Sequence, residues 1–128
     1  MVMDSSALIS ILLEERGHGS LLEKVGRAEA IFLGAPTALE TAMVLSTRFR
    51  QDSRPLLAGF LRRINAEIIE FNEDHYEAAL SVFLRFGKGR RPAALNFGDC
   101  MSYALASVSG LPLLYAGIDF SRTDIQSA

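Results

Sequence analysis

Short apolar runs alternate with longer stretches of helical periodicity along the chain. Met1 to Met3 is apolar throughout and predicts a short first strand. From Ser5 to Glu15, residues Leu8, Ile9, Leu12 and Leu13 fall on one helical face, with Gly17 as the stop. His18 to Val25 predicts a second short helix, and Ala30 to Leu33 a strand. Pro36 suits the first turn of a third helix reaching Arg50, and Pro55 opens a fourth that runs to Asn65. Glu67 to Phe71, with β-branched Ile68 and Ile69, predicts a third strand. Asn72 is placed to cap a fifth helix, Glu73 to Phe86. Asn96 is placed to cap a sixth, which ends at Ser109 against Gly110. Leu113 to Tyr115 is the last strand. Strands alternating with helices predict an α/β fold around a parallel sheet. With no internal repeat, low-complexity tract or linker, residues 1–128 read as a single domain.

Four carboxylates break this pattern. Asp4 follows the first apolar run, and Asp119 follows the run from Leu111 to Ile118. Glu40 interrupts the apolar stretch Ala38 to Leu45, and Asp99 opens the apolar helix after Asn96. In a parallel sheet the crossovers bring the carboxyl ends of the strands to one edge, where ligands bind. Acids gathered there repel one another, and desolvation raises their pKa values. A divalent cation relieves both effects, and carboxylate oxygens suit Mg²⁺ or Mn²⁺. The set therefore points to metal-dependent phosphate chemistry. Each acid also has a plainer reading. Asp4 can cap the first helix, and Asp99 can complete a capping box with Asn96. Glu40 can be a surface residue, and Asp119 can sit in an ordinary turn where Asp124 competes with it.

Composition narrows the picture. At 128 residues and 49% apolar, the chain can build a substantial core. A net charge of −2 lacks the basic excess of a general nucleic-acid binder, so any such contact must be local or metal-mediated. Arg85, Lys88, Arg90 and Arg91 form a candidate phosphate-binding patch beside a glycine-containing loop. Cys100 is the lone cysteine, which excludes an internal disulfide and fits a reducing cytoplasm. Next to Asp99 it reads as a small buried hydrophobe rather than a thiolate. The N-terminus lacks a basic leader, and Ala7 to Leu13 is too short to span a bilayer, so a cytoplasmic location without a membrane partner is expected. His18 and His75 have no Cys or His at zinc spacing and read as surface residues. No phosphate-binding P-loop and no nucleophile elbow occurs.

In their order and surroundings these residues resemble the PIN-domain ribonucleases, and more closely the VapC-type toxins of bacterial toxin–antitoxin pairs. The carriers are Asp4-Ser5-Ser6-Ala7-Leu8, Glu40 within Thr37 to Ala42, the run Phe86 to Cys100 with its Asn96-Phe97-Gly98-Asp99-Cys100 core, Leu113-Leu114-Tyr115, and Asp119 to Ile125. The resemblance implies a three-layer α/β/α sandwich with a central parallel sheet and an acidic metal site at its edge. It implies RNA cleavage dependent on Mg²⁺, or Mn²⁺, and inhibition by a cognate antitoxin protein. Asp4 and Asp99 match the principal metal ligands, Glu40 the third acid, Asp119 the late acid, and Ser6 a hydroxyl supporting the first acid. Metal-assisted hydrolysis is the mechanism expected. A phosphate-accepting receiver domain is set aside, because serines follow Asp4 and the chain's lysines are Lys24 and Lys88. A PIN-like module that only binds RNA or protein is the standing alternative. The uncharged helical surface in Ser5 to Leu13 and Pro36 to Thr47, where Glu40 is the only charge, predicts burial against another chain. The resemblance implies self-association through a two-fold contact and an antitoxin segment lying across the acidic groove, so a homodimer is expected.

Overall fold

The computed structural model describes residues 1–90 and 93–128. Its elements are β1 (Val2–Met3), α1 (Ser5–Leu12), α2 (His18–Arg27), β2 (Ile31–Gly34), α3 (Ala35–Phe49), α4 (Arg54–Arg63), β3 (Ala66–Ile69), α5 (Glu73–Phe86), α6 (Phe97–Ser109) and β4 (Leu113–Leu114). A 3₁₀ turn, Asp119–Arg122, follows. The strands form a four-stranded sheet in the order β3-β2-β1-β4, each neighbouring pair parallel.

Side chains alternate across a strand, and here that alternation sorts the core into two halves. Val2 and Leu113 point toward α5 and α6, packing with Val82, Leu95, Tyr103 and Phe120. Met3 and Leu114 point the other way, into a cluster with Leu8, Ile11, Leu57 and Phe60. The result is helix, sheet, helix, the expected three layers. Burial of each such leucine or valine stabilises the fold by about 1.5–3 kcal/mol, enough for two-residue strands to persist between two apolar layers. The open edge of β4 is covered locally. Leu113 N–H donates to Gln126 O at 2.8 Å, and Ala128 N–H donates to Leu113 O at 3.0 Å.

Several boundaries differ from the periodic pattern. α1 stops at Leu12, not Glu15, because Glu14 turns left-handed (φ 52°). Its N–H then donates to Ile11 O and that of Glu15 to Ser10 O, satisfying carbonyls the helix end exposes. Gly17, at φ +90°, starts α2 rather than stopping α1. β3 begins at Ala66 after left-handed Asn65 and releases the chain at Ile69. Phe71 thus leaves the sheet, and its ring lies 5.5 Å from that of His75. His75 is buried, not a surface residue. It completes the capping box of α5: Asn72 N–H donates to His75 Nδ1 at 3.2 Å, and His75 N–H donates to Asn72 Oδ1 at 3.3 Å. Among the described residues no helix is long and apolar enough to cross a membrane.

Candidate active site

The chain steps outward from β1 to β2 and β3, then returns to place β4 on the other side of β1. Where strand order reverses, the loops leaving the two strands diverge and open a crevice past their carboxyl ends. Asp4 is the first residue after β1, and Asp119 lies in the segment that follows β4.

Asp4 is only 1% exposed. Its N–H donates to Leu114 O at 2.9 Å, extending the β1–β4 ladder. Its Oδ2 accepts from the Ser6 N–H at 2.9 Å and the Ser6 hydroxyl at 2.5 Å, which caps α1. Ser6 Oγ in turn accepts from Ala116 N–H at 3.0 Å, so one hydroxyl ties together both walls of the crevice. Asp4 Oδ1 is buried with no hydrogen-bond partner among the described residues. The cap uses one oxygen and leaves the other without a partner among the described residues, so capping does not exclude ligation.

Asp99 has the same dual construction. Its Oδ2 accepts from Asn96 N–H at 2.7 Å, while its own N–H donates to Asn96 Oδ1 at 2.9 Å. Its carboxyl is pushed up to about 6, chiefly by burial and further by the negative fields of Asp4, Asp119 and Glu40, against the lowering effect of the Asn96 N–H. Through those fields the other three acids act on Asp99 in the folded chain.

Glu40 reaches the group because α3 is drawn onto α6. The hydroxyls of Thr37 and Ser102 are hydrogen-bonded at 3.1 Å in the buried seam between the helices. Along that seam the Glu40 carboxylate lies against the backbone of Gly98, and its Oε2 is buried without a hydrogen-bond partner among the described residues. Asp119 is exposed at the head of the 3₁₀ turn. Its neighbour Phe120 is buried, with its ring 5.0 Å from that of Tyr115, and anchors the turn.

Asp124 is engaged elsewhere. It accepts from the Tyr103 hydroxyl and the Arg85 guanidinium, each at 2.5 Å, and these bonds hold its carboxyl below the ordinary range. It therefore does not compete with Asp119. Arg85 is correspondingly withdrawn from the predicted basic patch. Lys88 and Arg90 are exposed, with the Arg90 guanidinium 5.9 Å from the Phe83 ring centre, and Arg91 lies outside the described residues. Cys100 is buried, and its thiol is pushed up to about 11 by burial and by Asp99, so it packs rather than reacts.

Among the described residues, no three His, Cys, Asp or Glu side chains are arranged to hold a metal ion. The acids share a field without closing into a cage. Mg²⁺ does not require a cage, since it keeps several waters and takes only one or two carboxylates. Two buried carboxylate oxygens without partners among the described residues, and a carboxyl raised by burial and by its neighbours, are the defects a cation corrects. An all-oxygen donor set fits a hard divalent ion. The pattern reading of the sequence missed Gly98, the Thr37–Ser102 seam and the Tyr103–Asp124 pair. The signal for the first was present: a glycine inside the first turn of a helix, where no turn requires it, marks a close approach.

The PIN domain family matches residues 1–126. A Ribonuclease VapC from Mycolicibacterium smegmatis is 40% identical over 125 residues, covering 98% of this chain and 97% of that one. The chain belongs to the PIN domain family, among the VapC ribonucleases. The crystal structure of Mycobacterium tuberculosis VapC20, described as a sarcin-ricin loop cleaving toxin, matches this VapC-type chain with a TM-score of 0.80. Identity is 16%, and the match covers 99% of this chain and 97% of VapC20. A toxin–antitoxin complex from Klebsiella pneumoniae gives a TM-score of 0.69 at 20% identity, over 96% of this chain and 92% of that one. Both bear out the expected sandwich.

Proposed function

We propose that this VapC-type chain is a cytoplasmic endoribonuclease toxin that hydrolyses RNA phosphodiester bonds with Mg²⁺, or Mn²⁺, at Asp4 and Asp99. The observation that supports this reading is the convergence of the fields of Asp4, Asp119 and Glu40 on Asp99, with Asp4 Oδ1 and Glu40 Oε2 buried and without a hydrogen-bond partner among the described residues. When bound, the cation supplies charge to neutralise the scissile phosphate and acidifies a water. The remaining work belongs to the chain. Ser6 and Asn96 fix the two ligand carboxylates by holding one oxygen of each. Glu40 adds a third carboxylate, which orients the attacking water or accepts its proton. Asp119 adds negative charge from the open side. Lys88 and Arg90 meet RNA phosphates and set register. Incubating total RNA with the protein, with and without EDTA, and mapping the new 5′ ends tests this. Metal-dependent cleavage at discrete sites is expected; tight Mn²⁺ binding without cleavage would favour the binding-module alternative.

Two partners follow from the same reading. An antitoxin segment presenting an arginine would match the acidic crevice, since guanidinium pairs well with carboxylate. A second copy would cover the apolar surface that α3 and α6 leave open. α1 does not contribute as its composition predicts, because Ala7, Leu8, Ser10 and Ile11 are buried within the chain. On α3, by contrast, Leu39 and Met43 are 63% and 61% exposed, and Phe97 at the start of α6 is 79% exposed. These residues line a mostly apolar groove of about 380 Å³ with Pro36, Val44 and Met101, and Glu40 and Gly98 belong to the same lining.

A further inference from the structure

The space that a side chain would take at Gly98 is filled by Glu40. A Cβ built there would stand 2.6 Å from Glu40 Oε2 and closer still to Oε1, far inside van der Waals contact. Gly98 lies within α6 and has no left-handed backbone to justify it. Glycine in a helix is unfavourable relative to alanine, so the position carries a cost that its local conformation does not explain. The seam around it is built for close approach. Thr37 and Ser102 meet through their hydroxyls one turn away on either helix, both fully buried. Asp99, the next residue, feels the field of Glu40.

We infer that Gly98 is a positioning residue: its missing side chain forms the slot that holds the Glu40 carboxylate beside Asp99. This rests on the ribonuclease reading above, and it adds the device by which the third acid is delivered. A methyl group at residue 98 occupies the carboxylate's place. Glu40 is flexible at its far end, so it swings out toward solvent, and the helices need not separate.

The test is a double-mutant cycle of Gly98→Ala and Glu40→Ala. Three readouts serve: melting in chelator, Mn²⁺ affinity by titration calorimetry, and RNA cleavage. Gly98→Ala should melt at or above the wild-type temperature. It should bind Mn²⁺ at least threefold more weakly and cleave at least tenfold more slowly. In the Glu40→Ala background the same change should alter either quantity less than twofold, because no carboxylate remains to displace. Wild-type cleavage and Mn²⁺ affinity in Gly98→Ala would overturn the inference. So would equal losses in both backgrounds, which would place the effect in the helix itself. Loss of the fold in Gly98→Ala would assign the glycine to packing and overturn it as well. If the wild-type chain cleaves no RNA, the ribonuclease reading fails, and the Mn²⁺ cycle still judges Gly98 alone.

Discussion

Asp99 carries the sharpest expectation about pH. Its carboxyl is raised to about 6 in the folded chain, above the ordinary range of an unfolded aspartate. The folded state therefore binds its proton more tightly. The stability that Asp99 contributes is fully present below pH 4 and is lost as pH rises through about 6. After solvent screening the loss is about 1–2 kcal/mol. In metal-free buffer, denaturant midpoints should fall across that window, and Asp99→Asn should flatten the curve while keeping the capping oxygen. Mn²⁺ should reverse the trend, stabilising more at pH 7.5 than at pH 5, because ligands must be deprotonated to bind. A flat wild-type profile would show that neither burial nor the neighbouring acids raise the Asp99 carboxyl. For activity, Asp4→Asn or Asp99→Asn should lower cleavage at least a hundredfold with the circular dichroism unchanged. Glu40→Gln should cost nearly as much. Asp119→Asn should cost less because that side chain is exposed and its field is screened, not because Asp124 stands in for it.

At the level of elements, the bounds of α5 and α6 were readable residue by residue, and the physical reason is visible. Asn72 and Asn96 each make a reciprocal cap whose donor and acceptor lie within four residues, so the information is local. The end of α1 was not readable, because it depends on Glu14 adopting a left-handed conformation that its residue type does not favour. The acids whose fields reach Asp99 stood out in the sequence, since each follows, interrupts or opens an apolar run. How Glu40 reaches Asp99 was not, because that depends on the spacing between two helices far apart in sequence. His75 was misread for a similar reason: histidine in place of glutamate or glutamine at the third helical position hides a capping box. His75→Ala should lower stability by about 1 kcal/mol in urea titration, and His75→Gln should restore much of it. Cleavage should be unaffected in both. An equal loss in the two variants would assign the effect to packing against Phe71.

For the molecule as a whole, the exposed apolar strip along α3 and the head of α6 is the surface on which the proposed homodimer rests. Met43→Glu, placed where Met43 is 61% exposed, should leave the fold intact and convert a dimer to a monomer at micromolar concentration by light scattering. A wild-type chain that is already monomeric would remove that surface from consideration. The sheet has a separate consequence for how the protein is made. β1 is an inner strand, and its partner β4 is far from it in sequence. Asp4 gains its backbone bond to Leu114, and Ser6 its bond from Ala116, only when that distant segment arrives. A growing chain on the ribosome thus holds three of its four acids without a formed crevice. Catalytic competence should arise abruptly, once Leu113 to Ala116 have emerged, and nascent chains halted before Leu113 should be degraded by protease where those halted after that segment is free of the ribosome resist it.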